Sequence, residues 1–275
     1  MTNNSNLQHE NVVCRIDEFG VASLTLNRED KSNAFDDEMI QLMTEHLHSL
    51  RNNDEIRCLI IRAEGKHFSA GADLNWMKSM ANKSHDENLK DAEQLADLMY
   101  QLDNFPHPTI SLVLGSAFGG ALGLICCSDI AVATEDANFC FSEVKLGLIP
   151  ATIGPYICRA IGARHARRYM LTAERFDSAM ALQMGLVHKV VDSLHKQDEF
   201  VNELIQLLMR NSPEAVKQTK SLCLQCEKKP IDKELIQFTS QLIADARVSV
   251  QGQEGLHAFF DKRAPNWVNR PREHS

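Results

Sequence analysis

Three features of the sequence could act together in a reaction: two glycine-bearing loops and one glutamate. The first loop, FSAGAD, turns at Gly71 after an apolar strand, and the second, AFGGALG, turns at Gly119 and Gly120 before a short helix. Glycine lets the backbone approach a ligand closely, and the first N–H groups of a helix have no partner within the helix. Two such N–H groups directed at one oxygen would form an oxyanion hole. Taken singly, each loop is equally well explained as a packing turn.

The carboxylate that accompanies these loops is Glu143, which is predicted to begin a helix just after the strand NFCFS. An acid at this position of a helix commonly does no more than interact with the helix dipole. Next to two free N–H groups, the same carboxylate could transfer protons as a general acid or base. A nucleophile and base formed by Ser69 and His67 is a weaker hypothesis, because the sequence contains no G-x-S-x-G elbow.

The elements that would position these groups follow from the apolar pattern. The segment VVCRIDEFGVASLTLNR alternates apolar and polar residues around a turn, which is typical of a β-hairpin. After it, buried strands alternate with amphipathic helices up to residue 154, and this alternation predicts an α/β core. Beyond that point the pattern is mainly helical, apart from GLVHKVVD. No linker rich in Pro, Gly or Ser divides the chain, so the helices are expected to complete one fold.

Composition excludes several functional classes. The 275 residues carry a formal charge of −8, whereas a nucleic-acid-binding domain usually shows a basic face. The cluster RHARR is interpreted as a solvated face or at most a patch for a small anion. The polar N-terminus has neither a signal peptide pattern nor the arginines of a transit peptide, which predicts a cytoplasmic protein.

The eight cysteines are interpreted as thiols of a reducing compartment. Cys223 and Cys226 form a C-x-x-C within a predicted helix, but no second Cys or His pair accompanies them. They are therefore predicted to be buried thiols on one helix face, and no metal site is expected.

An uncharged run at 108–128 could be mistaken for a membrane span. Its length is sufficient, and Gly115, Gly119 and Gly123 repeat with the spacing of a helix-packing motif. However, glycine and serine dilute its hydrophobicity, and its β-branched start TISLVLG predicts a strand. A buried strand, a glycine turn and a short helix are expected instead.

These segments together resemble one known family. HFSAGADLNWM, GSAFGGALGLICCSDIAVATEDANFCFSEVKLGLIP, LTLNREDKSNAF and GLHAFFDKRAPNW are similar to the crotonase superfamily, also called enoyl-CoA hydratase/isomerase. The resemblance runs from about Val12 to Trp267. It implies an acyl-CoA substrate whose thioester oxygen is held by the N–H groups of Ala72 and Gly120, with Glu143 as the catalytic acid and base. It implies no metal and no cofactor beyond the coenzyme A that the substrate carries.

The resemblance also implies an architecture and a set of binding residues. The fold would be α/β, with a disordered tail at 1–11, a ββα spiral core at 12–200 that holds the active site, and a helical region at 201–275 that assembles a homotrimer or homohexamer.

The acyl pocket would include Gly123 and Trp76. Lys31, in the loop NREDKSNA, would contact the coenzyme A, although it could equally be a solvent-exposed lysine without a ligand. Lys262 and Arg263 could reach coenzyme A bound to a neighbouring subunit. The remaining predicted contacts of coenzyme A are Ala34, Ala70, Gly71, Asp73 and Leu74, with Asp73 alternatively capping the turn that follows.

One position departs from the family pattern. Hydratases of this family typically use two glutamates, and the first of them would stand at Gly123. The local sequences GADLNWM and FCFSEVKLGLIPA are most similar to bacterial hydratases that act on 3-methylglutaconyl-CoA or geranoyl-type esters. Three hypotheses therefore stand: hydration of a branched enoyl-CoA with Glu143 alone, isomerisation of an enoyl-CoA by the same residue, and acyl-CoA binding without chemistry.

Overall fold

The N-terminal hairpin predicted from the alternating pattern is present. In the computed structural model, which describes residues 10–268, strand β1 (Val12–Ile16) pairs antiparallel with β2 (Val21–Leu26). The Asp17 carboxylate closes the turn, because it accepts hydrogen bonds from the N–H groups of Phe19 and Val21 at 2.9 and 2.8 Å. Gly20 supplies the positive φ of 84° that the turn requires.

The described chain contains nine strands and ten α-helices. The remaining strands are β3 (Cys58–Ala63), β4 (Thr109–Val113), β5 (Ser116–Phe118), β6 (Ile130–Thr134), β7 (Asn138–Cys140), β8 (Phe176–Asp177) and β9 (Lys189–Val191). The helices of the first two thirds are α1 (Asp37–Arg51), α2 (Leu74–Met80), α3 (His85–Asp103), α4 (Gly120–Cys127), α5 (Gly154–Thr172) and α6 (Ser178–Met184). Those that follow are α7 (Leu194–Arg210), α8 (Pro213–Lys228), α9 (Lys233–Val248) and α10 (Val250–Phe260).

The strands form two sheets that the chain visits in turn. The larger sheet has the order β1-β2-β3-β4-β6-β9. The strands β1 and β2 are antiparallel, and every other pair of adjacent strands in this sheet is parallel. The smaller sheet has the order β5-β7-β8. β4 and β6 belong to the larger sheet, while β5 and β7, which follow them directly, belong to the smaller one. This repetition of two strands and a helix agrees with the predicted ββα core.

The uncharged run at 108–128 lies inside the protein. Every residue of β4 is buried, and so are six of the eight residues of α4. A charge here would lack both water and a partner, which explains the composition. Only Gly123 of the three regularly spaced glycines is helical, since Gly115 and Gly119 occupy turns with a φ of 54°. No helix within residues 10–268 combines the length and apolar character needed to cross a membrane.

The C-terminal region is helical, as predicted, but its first helix begins before residue 201. α7 starts at Leu194, so the predicted boundary falls inside a helix that packs on β6 and β9. Residues 1–9 of the tail predicted at 1–11 lie outside the described residues. Glu10 and Asn11 are described, and both are hydrogen-bonded, to Asn27 and Glu38 respectively.

The basic cluster follows the prediction, whereas the C-x-x-C cysteines do not. The RHARR cluster lies on α5 with its cations exposed, and Arg168 pairs with Glu174, as expected for a solvated face. All eight cysteines are unpaired thiols. Cys223 and Cys226 do lie on a helix, α8, but the prediction that they are buried is wrong because both are exposed in the single chain.

Candidate active site

The first glycine-bearing loop connects β3 to α2. Gly71 adopts a φ of 96°, and its carbonyl accepts a hydrogen bond from the Phe35 N–H at 2.7 Å. The Asp73 N–H donates to the Phe35 carbonyl at 2.8 Å. Ala72 lies between these two bonds, and its own N–H donates no hydrogen bond to any other described backbone or side-chain group. The backbone of Phe35 thus fixes the position of a free donor.

The second loop connects β5 to α4 and is joined to the first. The Ser69 N–H donates to the Ser116 carbonyl, and the Phe118 N–H donates to the Ser69 carbonyl, both at 3.0 Å. Gly119 then turns the chain with φ 54° and ψ −125°, and α4 begins at Gly120. The Gly120 N–H is the first of its helix and makes no hydrogen bond within the described chain, as the ends of helices require.

Glu143 lies beside this turn. It begins a short 3-10 helix, Glu143–Leu146, as predicted. A Cβ added to Gly119 would lie 3.3 Å from Oε1 of Glu143, so glycine allows the close approach of this carboxylate. Its Oε2 is buried without a hydrogen-bond partner among the described residues, and burial raises the pKa of the carboxyl above its ordinary value. Such a carboxylate is more basic than an exposed one, which suits a group that accepts a proton.

These groups line one cavity of about 710 Å³. We call the residues of the two joined loops the loop wall; they are Ala70, Ala72, Gly119 and Gly120. We call the residues of the α2 and α3 side the helical wall; they are Leu74, Trp76, Met77, Met80, Asn88, Asp91, Ala92 and Leu95. The segment 146–153 and Phe35 complete the lining, together with Ser142 and Glu143.

The structure brings six of the predicted site residues to this cavity. They are Glu143, Ala72, Gly120, Ala70, Leu74 and Trp76. Lys31 is exposed in a 3-10 helix, while Ala34 and Gly71 are buried in the backbone that supports the loop wall, and none of these three lines the cavity. Contact of these three residues with coenzyme A stays a prediction.

Gly123 was predicted to belong to the acyl pocket, but it is buried inside α4 and does not line the cavity. A Cβ at this position would lie 2.4 Å from the Ile153 side chain and 2.7 Å from Sδ of Met99. Its lack of a side chain therefore permits the close packing of α3 and α5 on α4.

Asp73 also has a different role from a contact of coenzyme A. Its Oδ1 accepts hydrogen bonds from the N–H groups of Asn75 and Trp76 at 2.7 and 3.2 Å, so it caps α2. Its Oδ2 lies 3.1 Å from the Arg28 guanidinium. Because the side chain is only 6 % exposed, both oxygens are committed to holding the loop.

The pair of His67 and Ser69 does not form a nucleophilic centre. Nδ1 of His67 accepts a hydrogen bond from the Ser116 N–H at 3.1 Å, and Oγ of Ser69 accepts one from the Gly71 N–H at 3.2 Å. Both side chains therefore stabilise the two loops.

Sequence reasoning missed the polar residues of the helical wall. Asn88, Asp91, Ala92 and Leu95 are spaced at i, i+3, i+4 and i+7, so they share one face of α3. The sequence signal that could have revealed this wall was the presence of two polar residues, Asn88 and Asp91, on the face of α3 that also carries Ala92 and Leu95. Asp91 carries the only acidic side chain besides Glu143 among the described residues that line the cavity.

Comparison with known proteins gives a consistent result. A sequence model of the family described as enoyl-CoA hydratase/isomerase matches residues 17–270. The solved structure of an enoyl-CoA hydratase from Shewanella pealeana is 52 % identical, covers 95 % of this chain and 97 % of its own, and superimposes with a TM-score of 0.91. A putative enoyl-CoA hydratase/isomerase from Legionella pneumophila is 47 % identical over 94 % of this chain and 99 % of its own, with a TM-score of 0.88. The 2,3-dehydroadipyl-CoA hydratase of Escherichia coli is 30 % identical over 91 % of this chain and 96 % of its own. The crotonase-like fold predicted from the sequence is thereby confirmed.

Proposed function

The chain belongs to the enoyl-CoA hydratase/isomerase family, and from this premise we propose that it adds water to the double bond of an α,β-unsaturated acyl-CoA thioester. The observation that carries the proposal is the carboxylate of Glu143, which is buried without a partner on the same cavity as two free backbone N–H groups. An acid–base group and an oxyanion hole are the two components that this reaction needs.

In the proposed reaction, the N–H groups of Ala72 and Gly120 bind the thioester oxygen. Negative charge develops on this oxygen when a nucleophile attacks C3, and donors fixed in advance stabilise it without further reorganisation. The bonds from Phe35 and the start of α4 supply this fixed geometry.

Glu143 would accept a proton from water as the water oxygen attacks C3. The resulting enolate then needs a proton at C2, which the protonated Glu143 or a water in contact with it returns. No net proton is lost, and the product is the 3-hydroxyacyl thioester. The buried position of Oε2 and the raised pKa of the carboxyl support both halves of this cycle.

Isomerisation of an enoyl-CoA is the second candidate, because no acid stands at position 123. One carboxylate can remove a proton from C2 and return it to C4, and the other acid of the described lining, Asp91, is paired with Lys83. A binding protein without chemistry is disfavoured, since binding alone gives no reason to bury an unpartnered carboxylate beside two free donors.

The finer proposal concerns the acyl chain. Similarity of the local sequences to hydratases of 3-methylglutaconyl-CoA and geranoyl-type esters supports a branched chain, and the apolar cavity has room for one. These two classes differ in charge, because the first chain ends in a carboxylate and the second does not. The Escherichia coli relative is named for a dicarboxylic ester, so both remain substrates to test.

We also propose that the C-terminal helices assemble the chain into a trimer or a dimer of trimers. Large apolar side chains on and beside these helices are between 73 and 89 % exposed in the single chain: Ile231, Val248, Val250, Phe259 and Phe260. Exposed apolar groups of this number commonly mark an interface. A cytoplasmic location and the use of coenzyme A only as part of the substrate complete the proposal.

The deciding experiment follows the absorbance of the conjugated thioester in water enriched in ¹⁸O. With 2-enoyl thioesters, hydration lowers the absorbance and places ¹⁸O on C3 of the product. With a 3-enoyl thioester, isomerisation raises the absorbance and incorporates no ¹⁸O. Absence of ¹⁸O from the products of crotonyl-CoA, 3-methylglutaconyl-CoA and geranoyl-CoA would reject the hydratase proposal.

A further inference from the structure

The charges around the cavity are unevenly distributed. Among the described residues that line it there is no Lys, Arg or His, while Asp91 and Glu143 contribute carboxylates. Glu143 lies at the loop wall beside Gly119, so Asp91 is the charged group of the helical wall. Any acyl chain that passes along this wall meets a carboxylate and otherwise mostly apolar side chains.

The position of Asp91 on α3 places it on the cavity lining, away from the end of the helix that packs on α4. Met99 of the same helix packs on α4 at Gly123. Asp91 precedes Met99 by two helical turns, which corresponds to about 12 Å at a rise of 1.5 Å per residue. Leu95 and Ala92 line the cavity between these two points.

Lys83 is the cation closest to this carboxylate, and it is already engaged. Its Nζ contacts Oδ2 of Asp91, and the two side chains are only 25 and 16 % exposed. The hydrogen bond to Asp91 and the charges of Asp91, Asp37 and Glu87 raise the pKa of Lys83. A lysine that is already paired with one carboxylate has less attraction left for a second one.

We propose that the Lys83–Asp91 pair makes this site select acyl-CoA esters whose chain ends without a charge and reject dicarboxylic ones. The cavity would strip water from a terminal carboxylate and offer it no free cation, because the Lys83 cation is already paired with Asp91. An apolar chain, branched or straight, has no such cost against residues such as Trp76, Met77 and Leu95. This specificity rests on the proposed function of the cavity as an acyl-CoA site, but it does not depend on which reaction follows.

Two saturated thioesters of equal chain length test this selectivity without turnover. Valeryl-CoA and glutaryl-CoA both carry five-carbon chains, and only the second ends in a carboxylate. Isothermal titration calorimetry gives the dissociation constant of each for the parent protein. We expect valeryl-CoA to bind at least about tenfold more tightly, and equal or tighter binding of glutaryl-CoA would overturn the proposal.

Substitutions of Lys83 and Asp91 then test whether this ion pair causes the preference for valeryl-CoA. Asp91→Asn frees the Lys83 charge, so the preference for valeryl-CoA should shrink about tenfold or reverse. Lys83→Met leaves the Asp91 carboxylate without its cation, so the preference should grow. Asp97→Asn is the matched control, because it makes the same change on an exposed position of the same helix.

The outcomes are separable from those of the hydration assay. A shift of the same size in Asp97→Asn as in Asp91→Asn would show a general charge effect and contradict the role of the pair. If Asp91→Asn does not fold, the parent ratio and Lys83→Met still decide. If neither ester binds, the cavity is not an acyl-CoA site and the proposal fails. If hydration is absent while the binding preference is present, only the proposed reaction is wrong.

Discussion

The loop wall and the helical wall of the cavity are built in different ways. The loop wall offers backbone N–H groups. Backbone hydrogen bonds hold it in place: Phe35 bonds to Gly71 and Asp73, and Ser69 bonds to Ser116 and Phe118. The helical wall offers side chains of α2 and α3, whose connection depends on side-chain contacts. Nδ2 of Asn88 donates to the carbonyls of Met80, Lys83 and Ser84 at 3.1–3.2 Å.

This difference separates two tasks. Backbone donors fixed by strands change little when side chains change, so they suit a reaction step shared by many substrates. Side chains on a helix can be replaced without moving the strands, so they suit discrimination between acyl chains. We therefore expect substitutions at the loop wall and at Glu143 to lower the reaction rate, and substitutions in the helical wall to weaken binding of the substrate.

The largest effect is expected from Glu143→Gln. The amide cannot accept a proton at neutral pH, and general acid–base groups commonly contribute about 10²–10⁴-fold to the rate. We therefore expect kcat to fall by at least about two orders of magnitude while the affinity for a saturated acyl-CoA is retained. Steady-state kinetics and calorimetric titration measure the two quantities, and a kcat close to that of the parent would remove Glu143 from the mechanism.

Gly120→Pro should lower kcat by about 10²–10³-fold, because proline has no N–H and one oxyanion donor is lost. Proline is compatible with the first position of a helix, so the fold should survive. Gly120→Ala is the matched control. An added Cβ would lie 3.7 Å from the Phe35 ring, which is ordinary contact, and the N–H is kept. Equal losses in the two variants, with folding verified by circular dichroism, would mean that Gly120 acts only as a turn residue.

The pH dependence of kcat/KM should carry the signature of a buried base. Burial raises the pKa of the Glu143 carboxyl above its ordinary value of 4.5. Because only the ionised form accepts a proton, activity should be present above the raised pKa and be lost as the pH falls through it. An acidic limb at or below pH 4.5 would contradict the assignment, and the residual activity of Glu143→Gln should lack this limb.

Gly123→Ala tests the packing between the two walls. The new methyl group would meet Ile153 and Met99, and overpacking of this kind typically lowers the free energy of unfolding by about 1–3 kcal/mol. Gly154→Ala is the control, since a Cβ there meets nothing within 4 Å and should change stability by no more than about 1 kcal/mol. Denaturant titration measures both. A stable Gly123→Ala protein with altered preference for chain length would restore Gly123 to the acyl pocket.

The smallest effect is expected from Asn88→Ala. Loss of the amide leaves three carbonyls of the α2–α3 connection without this donor, so the helical wall should loosen. We expect KM for an enoyl-CoA to rise a few-fold with kcat nearly unchanged, consistent with about 1 kcal/mol for such contacts. Asn82→Ala, which removes a single exposed bond to the Lys78 carbonyl, should change neither parameter. A selective fall in kcat would show that the helical wall also positions the reacting atoms.

Sequence reasoning predicted the loop wall better than the helical wall. Glycine turns after strands and an acid at a helix start are local patterns, so the placement of Gly119, Gly120 and Glu143 could be inferred from neighbouring residues. The space beside Gly123 is set by Met99 and Ile153, which are distant in sequence, so no local pattern reports it.

Two short elements could not be predicted from the sequence for a similar reason. β5 has three residues and α2 has seven, and the sequence pattern predicted neither of them. Their stability comes from pairing with β7 and from the Asp73 cap rather than from propensity. The exposure of Cys223 was equally hidden, because the apolar periodicity of α8 does not specify which neighbour, if any, covers each face.

The joined loops have a consequence for how the site opens in time. Bonds from Phe68 to Leu114, from Ser69 to Ser116 and from Phe118 to Ser69 alternate across the two chain segments. Neither loop can leave its place without breaking bonds of the other, so we expect the N–H groups of Ala72 and Gly120 to become mobile together. In deuterium oxide, the amide hydrogens of Phe68, Ser69 and Phe118 would exchange as one cooperative group, at rates set by rare opening events. Those of Ala72 and Gly120, which donate to nothing within the chain, would exchange without waiting for such an event.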